Sequence, residues 1–214
     1  MIISGKTRLI FIHIPKTAGT SVRSALEKNI SNDAEKLVKV EFKEYFEKRK
    51  ILNLSYIPPH FTLSDVINFF NIEINNFRVL ITVRNPWERY ISFFKYITEI
   101  NKEHPLSKAA MEFGISRIIK YLIKDDKNLI ERQPQHVWYN TTTPHEETYF
   151  LRTECLQEDT DYFITKTNIK IPNFEHLNKS CDRILEMEKE IIDLIAYHEN
   201  PTIEKFGYNY ENIF

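Results

Sequence analysis

The 214-residue chain predicts an α/β fold, a three-layer sandwich with helices on both faces of a central parallel sheet. Three observations predict it. Two apolar, β-branched runs, 9–14 and 77–84, have the length and composition of strands buried on both faces. Each passes at once through a turn into a helical pattern. A further alternating segment, 147–152, does the same, and strands alternating with helices give a parallel sheet with covered faces.

The elements follow in order. Pro15 ends the first strand, and Lys16-Thr-Ala-Gly-Thr-Ser21 forms a tight turn of small residues. Thr20 or Ser21 caps the first helix, whose apolar positions are Val22, Ala25 and Leu26. Short strands are expected at 37–42 and 54–57, the latter stopped by Pro58-Pro59. A helix from Thr62 or Ser64 to Phe70 follows, which leaves His60 in a loop at a strand end. After the second strand, Asn85-Pro86 opens a helix to about Ile100, with proline in its first turn. Helical patterns cover 105–124 and 133–139, then a strand 147–152, a helix 156–164 and a loop 170–180. Residues 183–197 form a strongly amphipathic helix before the tail closes on Phe206-Gly-Tyr208.

Bulk properties narrow the function. The length suits a single domain, 1–214. A formal net charge of −1 supplies no global basic field for nucleic acid or a highly sulfated polymer. The first residues hold no long apolar segment, and no later run approaches the roughly 18 residues of a membrane span. Cys155 and Cys181 stand far apart without a C-x-x-C, which fits a reduced, cytoplasmic setting. No zinc-ligand spacing or acidic calcium loop is present, so no metal is expected.

The opening strand, loop and helix have the makings of an anion site. Unpaired N–H groups at a helix start face a ligand, and the macrodipole adds about half a positive charge there. Lys16 reaches a phosphate as a mobile point charge, and Thr17, Thr20 and Ser21 add hydroxyl donors. Of only four glycines one, Gly19, lies in this loop, where bare backbone admits close approach. The nucleotide-triphosphate loop G-x-x-x-x-G-K-[ST] is absent, because here the lysine precedes the glycine by three residues. Read locally, an ordinary turn with a stray lysine stays open.

A second corner repeats the arrangement. Arg84-Asn-Pro-Trp-Glu-Arg-Tyr-Ile-Ser92 places an arginine at a strand end with a helix directly after it. The planar guanidinium fork suits a terminal phosphate. Taken alone, Arg84 equally fits a surface ion pair and Ser92 an inert helix serine.

His13-Ile-Pro-Lys-Thr-Ala-Gly-Thr-Ser21 resembles the 5′-phosphosulfate loop of sulfotransferases that use 3′-phosphoadenosine 5′-phosphosulfate (PAPS), in particular the carbohydrate branch with the uronosyl 2-O-sulfotransferases. Arg84, Pro86, Arg89 and Ser92 match that family's 3′-phosphate motif R-x-P-x-x-R-x-x-S. The resemblance implies the sulfotransferase variant of the P-loop nucleotide-hydrolase-like fold. It implies that Lys16, Thr17, Ala18, Gly19, Thr20 and Ser21 hold the 5′ end of the donor, while Arg84 and Ser92 bind the 3′-phosphate. Arg89, five residues beyond Arg84, is equally placed for an ion pair with a core carboxylate. More weakly, 151–159 resembles a strand-to-helix segment carrying an acidic residue. The run 176–180 resembles a nucleotide-side loop, giving Asn178, Lys179 and Ser180 as further donor contacts, and 204–208 resembles a closing motif.

Sulfuryl transfer to an alcohol needs a base, and histidine suits it. Of seven histidines, His60 matches the segment that carries the base in the resembling family, although Pro58 stands where the first histidine of an H-x-H is usual there. His13 reads as a core residue, His104, His145 and His198 as exposed, and His136 as packed or lining a cleft. Lys16 offsets charge on the leaving oxygen, a second catalytic role. The expected acceptor is a hydroxyl of a carbohydrate or glycoconjugate. A small kinase of related fold and a non-catalytic nucleotide-binding protein are the competing readings. Trp87, Trp138 and Tyr139 suit stacking on a sugar but suit the core better.

Overall fold

The computed structural model describes residues 1–29, 61–125, 130–141, 145–172 and 187–211. They gather into two compact units, one drawn from Met1–Ile14, Ala18–Thr82 and Trp138–Glu175, the other from Pro15–Thr17, Val83–Val137 and His176–Phe214.

The first unit carries the sheet, a four-stranded one in the order β1-β2-β3-β4. Its strands are β1 (Ile2–Ser4), β2 (Leu9–Ile12), β3 (Arg78–Val83) and β4 (Thr148–Arg152). β2 and β3 run parallel, Leu9 opposite Arg78 and Ile12 opposite Ile81. β1 runs antiparallel to β2, with Ile2 opposite Phe11 and Ser4 opposite Leu9, so the sheet is mixed rather than wholly parallel. Three residues before a turn carry too little period-2 pattern to announce β1. Helix α1 (Gly19–Asn29) turns Val22, Ala25 and Leu26 inward, as its spacing predicts. There they meet Phe11, Leu80, Leu151 and Phe163, the last from α6 (Leu156–Thr167). Asp159 of α6 accepts from the Arg152 amide at 2.7 Å and from its guanidinium at 2.6 Å, which fastens that helix to the end of β4. Helix α2 (Leu63–Phe70) begins where expected, with Thr62 and Asp65 closing a capping box.

The second unit is helical. Asn85 caps α3 (Pro86–Lys95), its Oδ1 accepting from the Trp87 amide at 3.1 Å. The expected run to Ile100 is not one continuous α-helix: Tyr96–Ile100 form a π-helical turn. Helix α4 (Ser107–Lys124) is broken at Gly114, whose φ of 76° and ψ of 178° suit glycine alone. Then come α5 (Gln135–Tyr139), whose Trp138 and Tyr139 count with the first unit, α7 (Lys189–His198) and α8 (Asn200–Phe206), the last ended by Gly207 at φ 67°. Of the amphipathic helix expected over 183–197, residues 183–186 lie outside the described residues, 187 and 188 are not helical, and α7 starts at Lys189 with Glu188 as its N-cap. Trp87, Phe93 and Ile97 pack with Ile118, Ile119, Leu122, Ile191 and Ile195. Trp87, Trp138 and Tyr139 are all buried, as core residues. No helix among the described residues is long and apolar enough to cross a membrane. The strands expected at 37–42 and 54–57, and the loop 170–180 beyond 172, lie outside the described residues.

Candidate functional site

The first motif leaves β2 through two non-glycine residues in the left-handed region, Lys16 at φ 68° and Ala18 at φ 59°. Each costs about 1–2 kcal/mol, an expense that concentrates at functional sites. The helix that follows starts at Gly19, earlier than a cap at Thr20 or Ser21 allows. The Ala18 carbonyl accepts from the Ser21 amide at 3.0 Å and the Val22 amide at 3.3 Å, so Thr20 and Ser21 belong to the first turn. Thr20 is exposed and Ser21 buried, and no acidic side chain occupies that turn. Thr17 is buried. Gly19 has a reason the sequence did not suggest: a Cβ there would lie 1.9 Å from His13 Cδ2 and 2.4 Å from its Nε2. The imidazole, itself buried, occupies the space a side chain would need.

The second motif is anchored in the helical unit by a buried chain of hydrogen bonds. Arg89, 2 % exposed, donates from Nε to the Pro15 carbonyl at 3.1 Å. Its Nη1 meets Glu199 Oε1 at 2.9 Å, and its Nη2 the Glu131 carbonyl at 2.8 Å. The other Glu199 oxygen accepts from the Gln135 amide at 2.9 Å. The Gln135 carboxamide accepts from the Arg84 N–H at 2.9 Å and donates to the Arg84 carbonyl at 2.8 Å. One relay therefore runs from Pro15, the residue before Lys16, to the backbone of Arg84. Of the two roles the sequence left to Arg89, the ion pair with a core carboxylate is realised.

Lys16 and Arg84 sit in this same unit, close enough that their charges interact. Burial, reinforced by the Arg84 guanidinium and opposed by Glu131, lowers the Lys16 pKa to about 8. The ammonium rests on the face of Tyr96, 3.8 Å from the ring centroid. The Arg84 guanidinium engages Glu88 one helical turn on, at 3.0 and 3.1 Å. Ser92 is half-buried one turn before Tyr96.

A family model described as "Sulfotransferase family" matches residues 1–190. The chain belongs to the sulfotransferase family. Comparison with curated proteins and with solved structures returned no match.

In this sulfotransferase the relay ties the residue before Lys16 to the backbone of Arg84 within the second unit. Three residues that surround Lys16 and Arg84 were missed in the sequence. Glu199 carries no motif, Gln135 sits in a segment read only as helical, and Tyr96 was hidden in a helix expected to stay α. The one available signal for Tyr96 was its place four residues after Ser92, on the same helical face. His60, Asn178, Lys179 and Ser180 lie outside the described residues. Three histidines expected to be exposed are instead half-buried and bonded: His145 Nε2 to the Phe77 carbonyl and His198 Nε2 to the Arg132 carbonyl, each at 2.7 Å, and His104 Nδ1 accepting from the Leu106 amide at 3.2 Å. Burial lowers the pKa of His136, with Glu199 opposing and His198 adding. No group of three or more His, Cys, Asp or Glu side chains able to hold a metal ion occurs among the described residues.

Proposed function

We propose that this sulfotransferase moves a sulfuryl group from PAPS to a hydroxyl of a carbohydrate or glycoconjugate, in line, with His60 as general base. The observation that carries the reading is the buried relay from Pro15 to Arg84, which fixes the approach to Lys16 and the backbone of Arg84 through one set of bonds. The nucleotide is the adenosine bisphosphate type because a cation is supplied at each of two separate corners. In this reading Lys16, Thr17, Ala18, Gly19, Thr20 and Ser21 hold the phosphosulfate, and Arg84 and Ser92 take the 3′-phosphate. Asn178, Lys179 and Ser180 flank the 3′-phosphate edge of the adenosine. The carbohydrate acceptor rests on the likeness of 13–21 to that branch of the family, and a cytoplasmic setting rests on the cysteine usage.

The acceptor oxygen bonds to sulfur as the bond from sulfur to the 5′-phosphate oxygen breaks. The hydroxyl proton passes to His60, and adenosine 3′,5′-bisphosphate leaves. Lys16 meets the charge that grows on the leaving oxygen, which a preplaced cation in a partly desolvated position does with little reorganisation. Thermal unfolding with adenosine 3′,5′-bisphosphate in the absence of Mg²⁺ tests the donor: stabilisation is expected, and stabilisation by ATP–Mg²⁺ alone favours the kinase reading. Labelled PAPS with a glycan panel tests the acceptor, and binding without transfer to any acceptor favours the non-catalytic one. His60→Ala is expected to lower turnover by about 10²–10⁴ with donor binding kept. Undiminished turnover in that variant removes His60 from the mechanism.

A further inference from the structure

Lys16 is held in an unusual way for a half-buried lysine. Among the described residues its ammonium makes no hydrogen bond and no ion pair; its one direct partner is the Tyr96 ring. Among the described residues the charged groups that face it are the Arg84 guanidinium, which repels it, and Glu131, which attracts it without an ion pair. Arg89, on the same helix as Arg84's ion-pair partner Glu88, is already committed to Glu199 and two carbonyls.

The ring is itself fixed. The π turn begins at Tyr96, and its wide bond runs from the Asn101 amide to the Tyr96 carbonyl at 2.7 Å. The Asn101 side chain donates to the Tyr96 hydroxyl at 3.3 Å. Asn101 thus grips the same residue at its backbone and at the tip of its ring. A π turn in place of an α turn shifts every following side chain around the helix axis, and such turns recur at functional sites.

From this geometry we infer that Tyr96 is a positioning residue for Lys16, a π-face cradle that holds the ammonium in place and charged while leaving it uncompensated for an anion. A carboxylate in the same place would hold the lysine as well but would neutralise it and compete with the incoming phosphosulfate. An aromatic face stabilises a cation without doing either. The inference rests on the reading of Lys16 as a donor ligand.

The test measures the affinity of the folded, full-length protein for adenosine 3′,5′-bisphosphate by calorimetry from pH 6.5 to 10, with the unfolding midpoint recorded for each variant. The wild type is expected to bind with constant affinity at low pH and to weaken above a break near 8, where Lys16 loses its proton. Tyr96→Leu should move the break down by about 0.5–1.5 pH units, and Tyr96→Trp, with the stronger π face, should keep it or raise it. Lys16→Met should abolish it. A ring needed only for packing would change the unfolding midpoint and leave the break where it is. Should Tyr96→Leu not fold, Tyr96→Met takes its place in the same titration. A break unmoved in the Leu or Met variant, with Lys16→Met still abolishing it, overturns the Tyr96 assignment alone. A Lys16→Met protein that binds like the wild type at every pH overturns the reading of Lys16 itself.

Discussion

Gln135 and Arg84 exchange a reciprocal pair of hydrogen bonds, the Arg84 amide donating to Gln135 Oε1 at 2.9 Å and Gln135 Nε2 donating to the Arg84 carbonyl at 2.8 Å. The side chain thus does for one residue what a neighbouring strand does for several, at the point where β3 has just ended. Gln135 is fully buried, so truncating it strands both Arg84 backbone groups away from water. Gln135→Ala is therefore expected to cost about 2–4 kcal/mol by urea denaturation, the sum of two unmet partners. It should also weaken bisphosphate binding, because the guanidinium is carried on a backbone no longer fixed. Gln135→Glu keeps the acceptor, loses the donor and adds a charge near Glu199, so it should be no rescue.

Arg89 and Glu199 form a pair with both side chains out of solvent. Removing either partner leaves a buried charge uncompensated, which costs about 3–5 kcal/mol. Arg89→Lys should not rescue, since one ammonium cannot reach Pro15, Glu131 and Glu199 with the spread of a guanidinium. Denaturation of Arg89→Met, Glu199→Gln and the double variant is expected to give a coupling energy above about 1 kcal/mol. Additive losses would mean that the two act through separate contacts.

Lys16 carries a cost in the folded state, that of a half-buried cation beside a second one. Its native pKa of about 8 lies below the ordinary lysine value of 10.5. Below about 8 both states are protonated and the native one bears the penalty of a half-buried cation beside Arg84. Between about 8 and 10.5 the unfolded chain keeps a proton the native state has shed, so the Lys16 contribution to stability rises with pH across that window. Lys16→Met removes the penalty. Without nucleotide it should raise the unfolding midpoint at pH 7 by about 2–4 °C. A lower midpoint would show that the lysine is stabilising where it sits.

The parts legible in the sequence are those set by local pattern. β2 and β3 follow from apolar runs, α3 from Pro86 behind Asn85 and α2 from a start at Thr62 or Ser64, all of which act over a few residues. Lys16 and Arg84 were legible for the same reason, each standing at a strand end before a helix. What stayed hidden depends on distant partners. Nothing near Glu199 shows that it will meet Arg89 across 110 residues, and nothing near Gln135 shows that its amide will face Arg84. The π turn at Tyr96 has no composition signal, since Tyr-Ile-Thr-Glu-Ile reads as ordinary helix.

Gly19 offers the sharpest check on the loop, because its reason is a side chain rather than a backbone angle. An alanine Cβ would fall 1.9 Å from His13 Cδ2, far inside van der Waals contact, and His13 is itself buried with little room to yield. Gly19→Ala alone is expected to destabilise by about 1–3 kcal/mol through overpacking. The position opens a helix with φ outside the left-handed region, where alanine stabilises by about 0.4–1 kcal/mol by narrowing the unfolded chain. In a His13→Ala background the same substitution should therefore change sign and become neutral or mildly stabilising, although His13→Ala has its own cavity cost. Urea denaturation of the four proteins reads this directly. If Gly19→Ala costs the same with and without the imidazole, the glycine is needed for something other than His13, and close approach of a ligand to the bare backbone becomes the better account of it.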